Sequence, residues 1–484
     1  MAAVLSTRRP REVTPEADTS SWWRLWAMAA LAHTFGIGVD EWGGRVFASL
    51  AVGLVAVATL VRPEDRRLRT ALPLTVLALV WFEAPQIGNH WLIAGFVSLA
   101  ALLARPWSDG WLDRAAPGLR VLLLVFYSFA AFAKLNSGFF DRTESCARFF
   151  ANQSLEFYQL PLIPAGSLVA LAAIVASATI ELSVPLLLMI RRTRRFGVVL
   201  AILFHLVLAL DLRQHFFDFT LVLVPLFMLF TRPGVLTAFD QRLGGPRDPS
   251  SGRWVVPLTA MVVAFSLPVP TAAKGLAILA SWVLWIIVLV AIVRTLITVR
   301  LIRLPRSSSS RASSSRASSP PALSEAASGL SWRVPVPLAA VVVLALLNGL
   351  SPYLELKTAT GFNMYSNLLT DGGRSNHFIV PDTVELRGGA TDLAVIVETD
   401  DEDLAEYIDS GFALPFANLS DYLADHPDTS LTYERAGERQ VVERAGDHPE
   451  LQQRMPLLLE KFALRRAVPL ADPPACQNKW LPAR

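Results

Sequence analysis

Seven ionisable side chains sit inside apolar runs of this 484-residue chain: His33, Glu83, His90, Lys134, Glu181, His205 and Asp211. Placing such a group in hydrocarbon is costly unless it is paired or faces a polar cavity, so each is a candidate for chemistry. Lys134 is the sharpest of them. It closes the run Leu122-Leu-Leu-Val-Phe-Tyr-Ser-Phe-Ala-Ala-Phe-Ala with no adjacent acid, and it is one of only five lysines. A desolvated lysine, unlike an arginine, can lose its charge and act as a base near neutral pH. A lysine snorkelling from a helix end is the plainer reading of the same position. His205, in Ile202-Leu-Phe-His-Leu-Val-Leu, lies deeper, although a lone histidine bonded to a carbonyl is the commoner arrangement. Glu181 precedes Pro185 and can cap a break in its helix, while Asp211, Arg213, His215 and Asp218 read as a solvated turn. GxGxxG, P-loop, HExxH and CxxC patterns are absent, and no metal is expected.

The elements that must hold these residues are helices in a bilayer. Hydrophobic residues make up 53% and charged residues 18%, below the roughly 25% charged of ordinary soluble domains. The net charge of +3 calls for no nucleic acid or other polyanionic partner. Apolar runs bounded by Arg, Pro, Gly or Trp recur near 22–39, 44–61, 71–86, 90–104, 119–136, 163–190, 196–212, 216–231, 254–270, 275–293 and 334–350, which predicts about eleven spans. With the N-terminus inside, the arginine clusters at 62–69, 105–120, 191–195, 232–253 and 300–316 all fall on the cytoplasmic side. His33, Glu83, His90, Lys134 and Asp211 then share the outer level, as they would around one polar cavity open to the outside.

Residues 352–484 are polar and follow an odd number of crossings, which places them outside. Runs at Val384–Arg387, Leu393–Glu398, Ser430–Glu434 and Gln440–Glu443 read as strands, and those at Asp403–Ile408, Leu419–Ala424 and Glu450–Arg465 as helices. Cys146 and Cys476 both fall in a compartment that permits a disulfide, and a bridge and two free thiols are equally compatible with the sequence. Between Met364 and His377, Gly372-Gly373 supplies a tight turn. Asn367, Arg374, Asn376 and His377 there can form a lid over the cavity, or an ordinary connector.

The segment Tyr127-Ser-Phe-Ala-Ala-Phe-Ala-Lys-Leu-Asn-Ser-Gly-Phe-Phe resembles the Tyr…Ala-Gly-x-x-Lys-Leu…Trp stretch of the HTTM (horizontally transferred transmembrane) domain shared with the vitamin K-dependent gamma-carboxylase. Ile180-Glu-Leu-Ser-Val-Pro, Phe204-His205 and Leu226-Phe-Met-Leu-Phe are similar to the second half of that domain, and Lys357 to His377 to a segment of bacterial members. The resemblance implies that Lys134 deprotonates a vitamin K hydroquinone-like quinone. Oxygen addition then generates a strong base that takes a glutamyl proton from an extracytoplasmic protein or peptide before carboxylation. His205 is a second catalytic group on this reading, with Tyr127, Glu181, His90 and Glu83 as cofactor-binding residues. Ala131 stands where the family has Gly, Phe139 or Phe140 where it has Trp, and the outer domain is smaller.

The expected protein is therefore an α-helical polytopic membrane protein with a small C-terminal extracytoplasmic α+β domain. It divides into a cytoplasmic tail (1–21), an HTTM-like helical domain (22–302), a Ser/Arg-rich cytoplasmic linker (303–332), a last transmembrane helix (333–351) and the outer domain (352–484). The function that the resemblance implies is a quinone-linked carboxylase, or a related lyase or oxidoreductase, with a membrane-embedded lysine as base. The alternative is a non-enzymatic scaffold or secretion-associated envelope protein. Clustering of buried polar groups toward one side argues against a transporter.

Overall fold

The computed structural model describes residues 15–34, 44–85, 87–210, 216–242, 294, 331–386, 388, 391–471, 473–474 and 476. Helix α1 (Pro15–Thr34) starts inside the expected tail. Pro15 presets φ for a first helical turn, where Glu16 and Asp18 meet the positive end of the helix dipole. It is followed by α2 (Gly44–Val61), α3 (Arg66–Glu83), α4 (Asn89–Leu103) and α5 (Trp111–Phe132). Helix α6 (Cys146–Phe157) occupies a stretch expected to be a loop, with Ser145 accepting from Ala147 N as its N-cap. Then come α7 (Leu168–Met189), α8 (Arg194–Leu208), α9 (Phe216–Met228), α10 (Val235–Arg242) and α11 (Val336–Leu350). The spans expected at 254–270 and 275–293, and nearly all of the Ser/Arg-rich linker, lie outside the described residues.

Among the described residues, α5 and α7 are long and apolar enough to cross a membrane, and α4, α9, α11 and most of α2 are apolar but shorter. Helix α5 is largely buried, whereas α7 turns Leu168, Val169, Val175, Leu186 and Met189 outward. Water would disfavour that exposed apolar face, and lipid would not.

Polar contacts fix how the helices are laid side by side. At one end, Asp18 accepts from Gly234 N and from the backbone and hydroxyl of Thr237. Nearby, Arg69 donates to Glu16 and Arg24 pairs with Asp240. Just inside that end, Trp22 stacks on Trp26 and both Trp22 and Trp23 lie against Trp111. The opposite end holds His33, Glu83, His90, Lys134 and Asp218, so α1, α3, α5 and α8 point toward it while α2, α4, α7 and α9 start from it.

Helix α11 runs parallel to α5 and touches it closely. A Cβ at Gly118 would come within 2.7 Å of Leu338 Cδ2, and one at Gly349 would overlap the Phe129 ring. The chain leaving α11 is thereby delivered beside Lys134. Residues 351–386 form a cap there, including a small hairpin, β1 (Thr370–Asp371) with β2 (Arg374–Ser375).

Beyond the cap lie β3 (Leu393–Thr399), α12 (Glu402–Ser410), β4 (Phe412–Pro415), α13 (Phe416–Leu423), β5 (Leu431–Arg435), β6 (Glu438–Val442), α14 (Leu457–Phe462) and β7 (Val468–Pro469). They form one antiparallel sheet in the order β6-β5-β3-β4-β7. Ala394, Ile396, Leu404, Leu414, Leu419 and Tyr433 share its core. Two expectations fail. Val384–Leu386 is not a strand, because Val384 N and Leu386 N donate to Tyr353 and Leu354 carbonyls. The helix expected over Glu450–Arg465 is broken by Pro456 into a short turn at Pro449–Leu451 and α14.

Candidate functional site

Lys134 follows the last turn of α5, and its side chain runs back along the helix to the Ala130 carbonyl, 3.3 Å from Nζ. Its partner is Glu181 of α7, whose Oε2 lies 2.8 Å away. Nζ also donates to the Met364 carbonyl at 3.3 Å, and the Phe139 ring lies 5.8 Å off. Lys134 is 5% exposed. The snorkelling reading is therefore corrected: this lysine is paired and covered. Glu181 is not simply a helix cap either. It accepts from Ser177 one turn earlier, and Pro185 has no N–H to offer the Glu181 carbonyl, which loosens α7 there.

Tyr127 lies two turns before Lys134 on the same face of α5, about 10 Å deeper by helical rise. Its hydroxyl is 2.9 Å from His205 Nε2. His205 is 3% exposed. Its Nδ1 has no hydrogen-bond partner among the described residues, while its backbone carbonyl accepts from Thr220. The lone-histidine expectation is thus replaced by a Tyr–His pair on α5 and α8.

Glu83 and His90, expected beside the lysine, stand elsewhere. His33 Nε2 is 3.0 Å from Glu83 Oε1, His33 Nδ1 is 2.9 Å from Asp218 Oδ2, and His90 Nε2 is 2.9 Å from the same Asp218 oxygen. Phe219 separates this cluster from the other, with its ring 5.5 Å from His90 and 4.8 Å from His205. One shared cavity becomes two polar clusters at one end of the helices. Asp218, expected in a solvated turn, is buried, and its flanking Phe216, Phe217 and Phe219 were the available signal. Asp211 lies outside the described residues.

The cap closes over this end. Asn136 is fully buried; its Nδ2 donates to Ala133 and Ser366 carbonyls at 2.7 and 2.6 Å, and its Oδ1 accepts from Phe139 N at 2.8 Å and Asn376 Nδ2 at 3.3 Å. Asn367 Oδ1 accepts from Cys146 N, and its Nδ2 donates to Glu144 and Pro474 carbonyls. His377 Nε2 meets the Phe132 carbonyl at 2.8 Å, and burial lowers its pKa. Three of the four expected lid residues thus fasten the cap, while Arg374 is exposed on β2 and joins nothing at the site. Glu355, Thr360, Phe362, Tyr365 and Asn367 all have φ between 47 and 58°, single left-handed residues that cost roughly 1–2 kcal/mol each for those other than the asparagine. Anchors at both ends hold that strain in place.

Cys146 and Cys476 are joined by a disulfide, with Cα atoms 4.8 Å apart. A cavity beside it is lined by Asn363, Tyr365, Asn367 and Arg466, not by Lys134. Burial pushes Tyr365 up to about 12 and Arg466 down to about 10.

Residues 115–233 match the family model of the HTTM domain. That segment contains Tyr127, Lys134, Glu181, His205 and Asp218. Neither a curated protein nor a solved structure matches the chain. The domain match and the two membrane-capable helices together support membrane association.

Proposed function

We propose that this chain is a multi-pass membrane enzyme in which Lys134, paired with Glu181, serves as the base of a quinone-linked reaction related to that of vitamin K-dependent gamma-carboxylase. One observation carries the reading: a lysine just past the end of one membrane-capable helix stands 2.8 Å from a glutamate within a second, covered by a strapped cap. Arginines at the Asp18 end and apolar side chains turned outward along α2, α7 and α11 support several crossings with the N-terminus inside. The cap and the sheet then lie outside, where a peptide or protein substrate would approach.

As an ammonium, Lys134 is not a base. Glu181, 2.8 Å away, is the group positioned to take its proton and so free the amine. The amine can then take a proton from an acidic hydroxyl. A quinol fits this donor set, because the His205 Nδ1 left without a partner and the rings of Tyr127, Phe139 and Phe227 offer a polar atom and aromatic walls. Bound there, a quinol would supply an acidic hydroxyl and reducing equivalents for oxygen. Lys134 and Glu181 would exchange the proton, Tyr127 and His205 would orient the ring, and Met364 with Phe139 would exclude water.

The test is quinol-driven oxygen uptake by the full chain in proteoliposomes, with solvent extracts of the purified protein analysed by mass spectrometry for a quinone. Loss of a general base predicts a fall of roughly 10²–10⁴-fold for Lys134→Ala at equal membrane abundance. Unchanged uptake would overturn the catalytic assignment and leave the scaffold reading.

A further inference from the structure

We propose that His33, His90 and Asp218 form a binding site for one divalent first-row transition metal ion, with Glu83 orienting His33 from behind. The ligands come from α1, α4 and α9, so no short sequence spacing announces them. Their donor atoms nevertheless converge within 4.8 Å of one another. Two imidazole nitrogens approach a single carboxylate oxygen, each at 2.9 Å. Tetrahedral coordination at ordinary bond lengths spaces donors about 3.3 Å apart, so those two contacts need open by only a few tenths of an ångström.

The surroundings match those of a metal ligand set. Bound histidines commonly give their second nitrogen to a carboxylate, which fixes the ring and strengthens the donor. His33 has that arrangement: Nδ1 faces Asp218 and Nε2 faces both Glu83 oxygens at 3.0 and 3.1 Å. Trp91 stacks on the His33 ring at 3.7 Å between centroids and holds its plane. The other Asp218 oxygen is occupied by Phe219 N at 2.6 Å.

The charge of the set is compatible with a cation. Neither carboxylate meets a lysine or arginine among the described residues, and both are buried. A divalent cation shared by the set would neutralise the two carboxylates. Two histidines and one carboxylate leave coordination positions open and suit zinc or ferrous iron better than calcium or magnesium, which favour oxygen ligands. His33, Glu83 and His90 lie outside the segment that matches the HTTM domain, and the proposal does not depend on the role of Lys134.

The detergent-purified full chain is analysed for metals by mass spectrometry, stripped with chelator and titrated with cobalt(II). The expected results are about one equivalent of metal per chain and visible cobalt bands of a histidine–carboxylate site. His90→Ala and Asp218→Asn should abolish the bands. Glu83→Gln should keep them while weakening binding roughly 10–100-fold, and Lys134→Ala should leave them unchanged. Absence of cobalt bands in the wild-type chain overturns the proposal whatever the variants do, as does equal cobalt binding by wild type, His90→Ala and Asp218→Asn.

Discussion

Lys134 Nζ and Glu181 Oε2 stand 2.8 Å apart between α5 and α7. Removing one partner of a buried pair strands the other's charge, at about 3–5 kcal/mol, while replacing both with apolar groups is often neutral. Lys134→Met alone should therefore destabilise strongly, and Lys134→Met with Glu181→Leu should recover most of the loss while remaining inactive. Denaturant melts in detergent and oxygen uptake, measured on the same preparations, check both halves. Recovery of activity in the double variant would contradict a chemical role.

Asn136 makes four side-chain hydrogen bonds just past α5, two within its own segment and two, to the Ser366 carbonyl and from Asn376 Nδ2, that reach the cap. Asn136→Ala leaves Phe139 N and the Ser366 carbonyl without partners in a buried place, at about 1–3 kcal/mol each. The expected outcome is faster proteolysis within 352–386 with little change in the sheet beyond it. Limited digestion with mass mapping reads this directly.

Burial pushes the Lys357 ammonium down to about 8 from 10.5, and Thr360 Oγ1 is the partner of its Nζ at 3.2 Å. Between those values the folded chain binds fewer protons than the unfolded one, so stability rises as pH climbs through that window. Lys357→Met should flatten the rise. Melting curves from pH 7.5 to 10.5 decide it, and identical slopes in both proteins would exclude Lys357 as the source.

The Cys146–Cys476 bridge ties the start of α6 to a segment that Asn367 also holds through the Pro474 carbonyl. Removing a native disulfide costs roughly 2–5 kcal/mol in small secreted domains. Cys476→Ser should lower the melting temperature and expose Tyr365 to modification, read by mass spectrometry. Proteolysis between the two cysteines should yield fragments that separate only after reduction.

Much of the helical order was legible because hydrophobic runs report burial locally. The strands β3, β5 and β6 were legible for the same reason, since alternation shows which face is covered. Partnership was not. Tyr127 and Lys134 share a face by their spacing, but nothing in the sequence pairs Lys134 with Glu181 or Tyr127 with His205, because those contacts depend on how α5, α7 and α8 pack. Asp218 was misread because a carboxylate near a chain reversal resembles a solvent-facing turn until His33 and His90 arrive from two other helices. Helix α6 was missed because its apolar face is narrow and it buries only Cys146 and Phe157 fully.

Cys476 leaves the ribosome long after Cys146, and so do Met364 and Asn376. Lys134 and Glu181 are therefore in place well before anything shields them, and a chain interrupted ahead of the cap would carry the amine and the carboxylate uncovered. Enclosure of the pair thus arrives last in biosynthesis, when the late segment closes over the early one and the disulfide locks the two together.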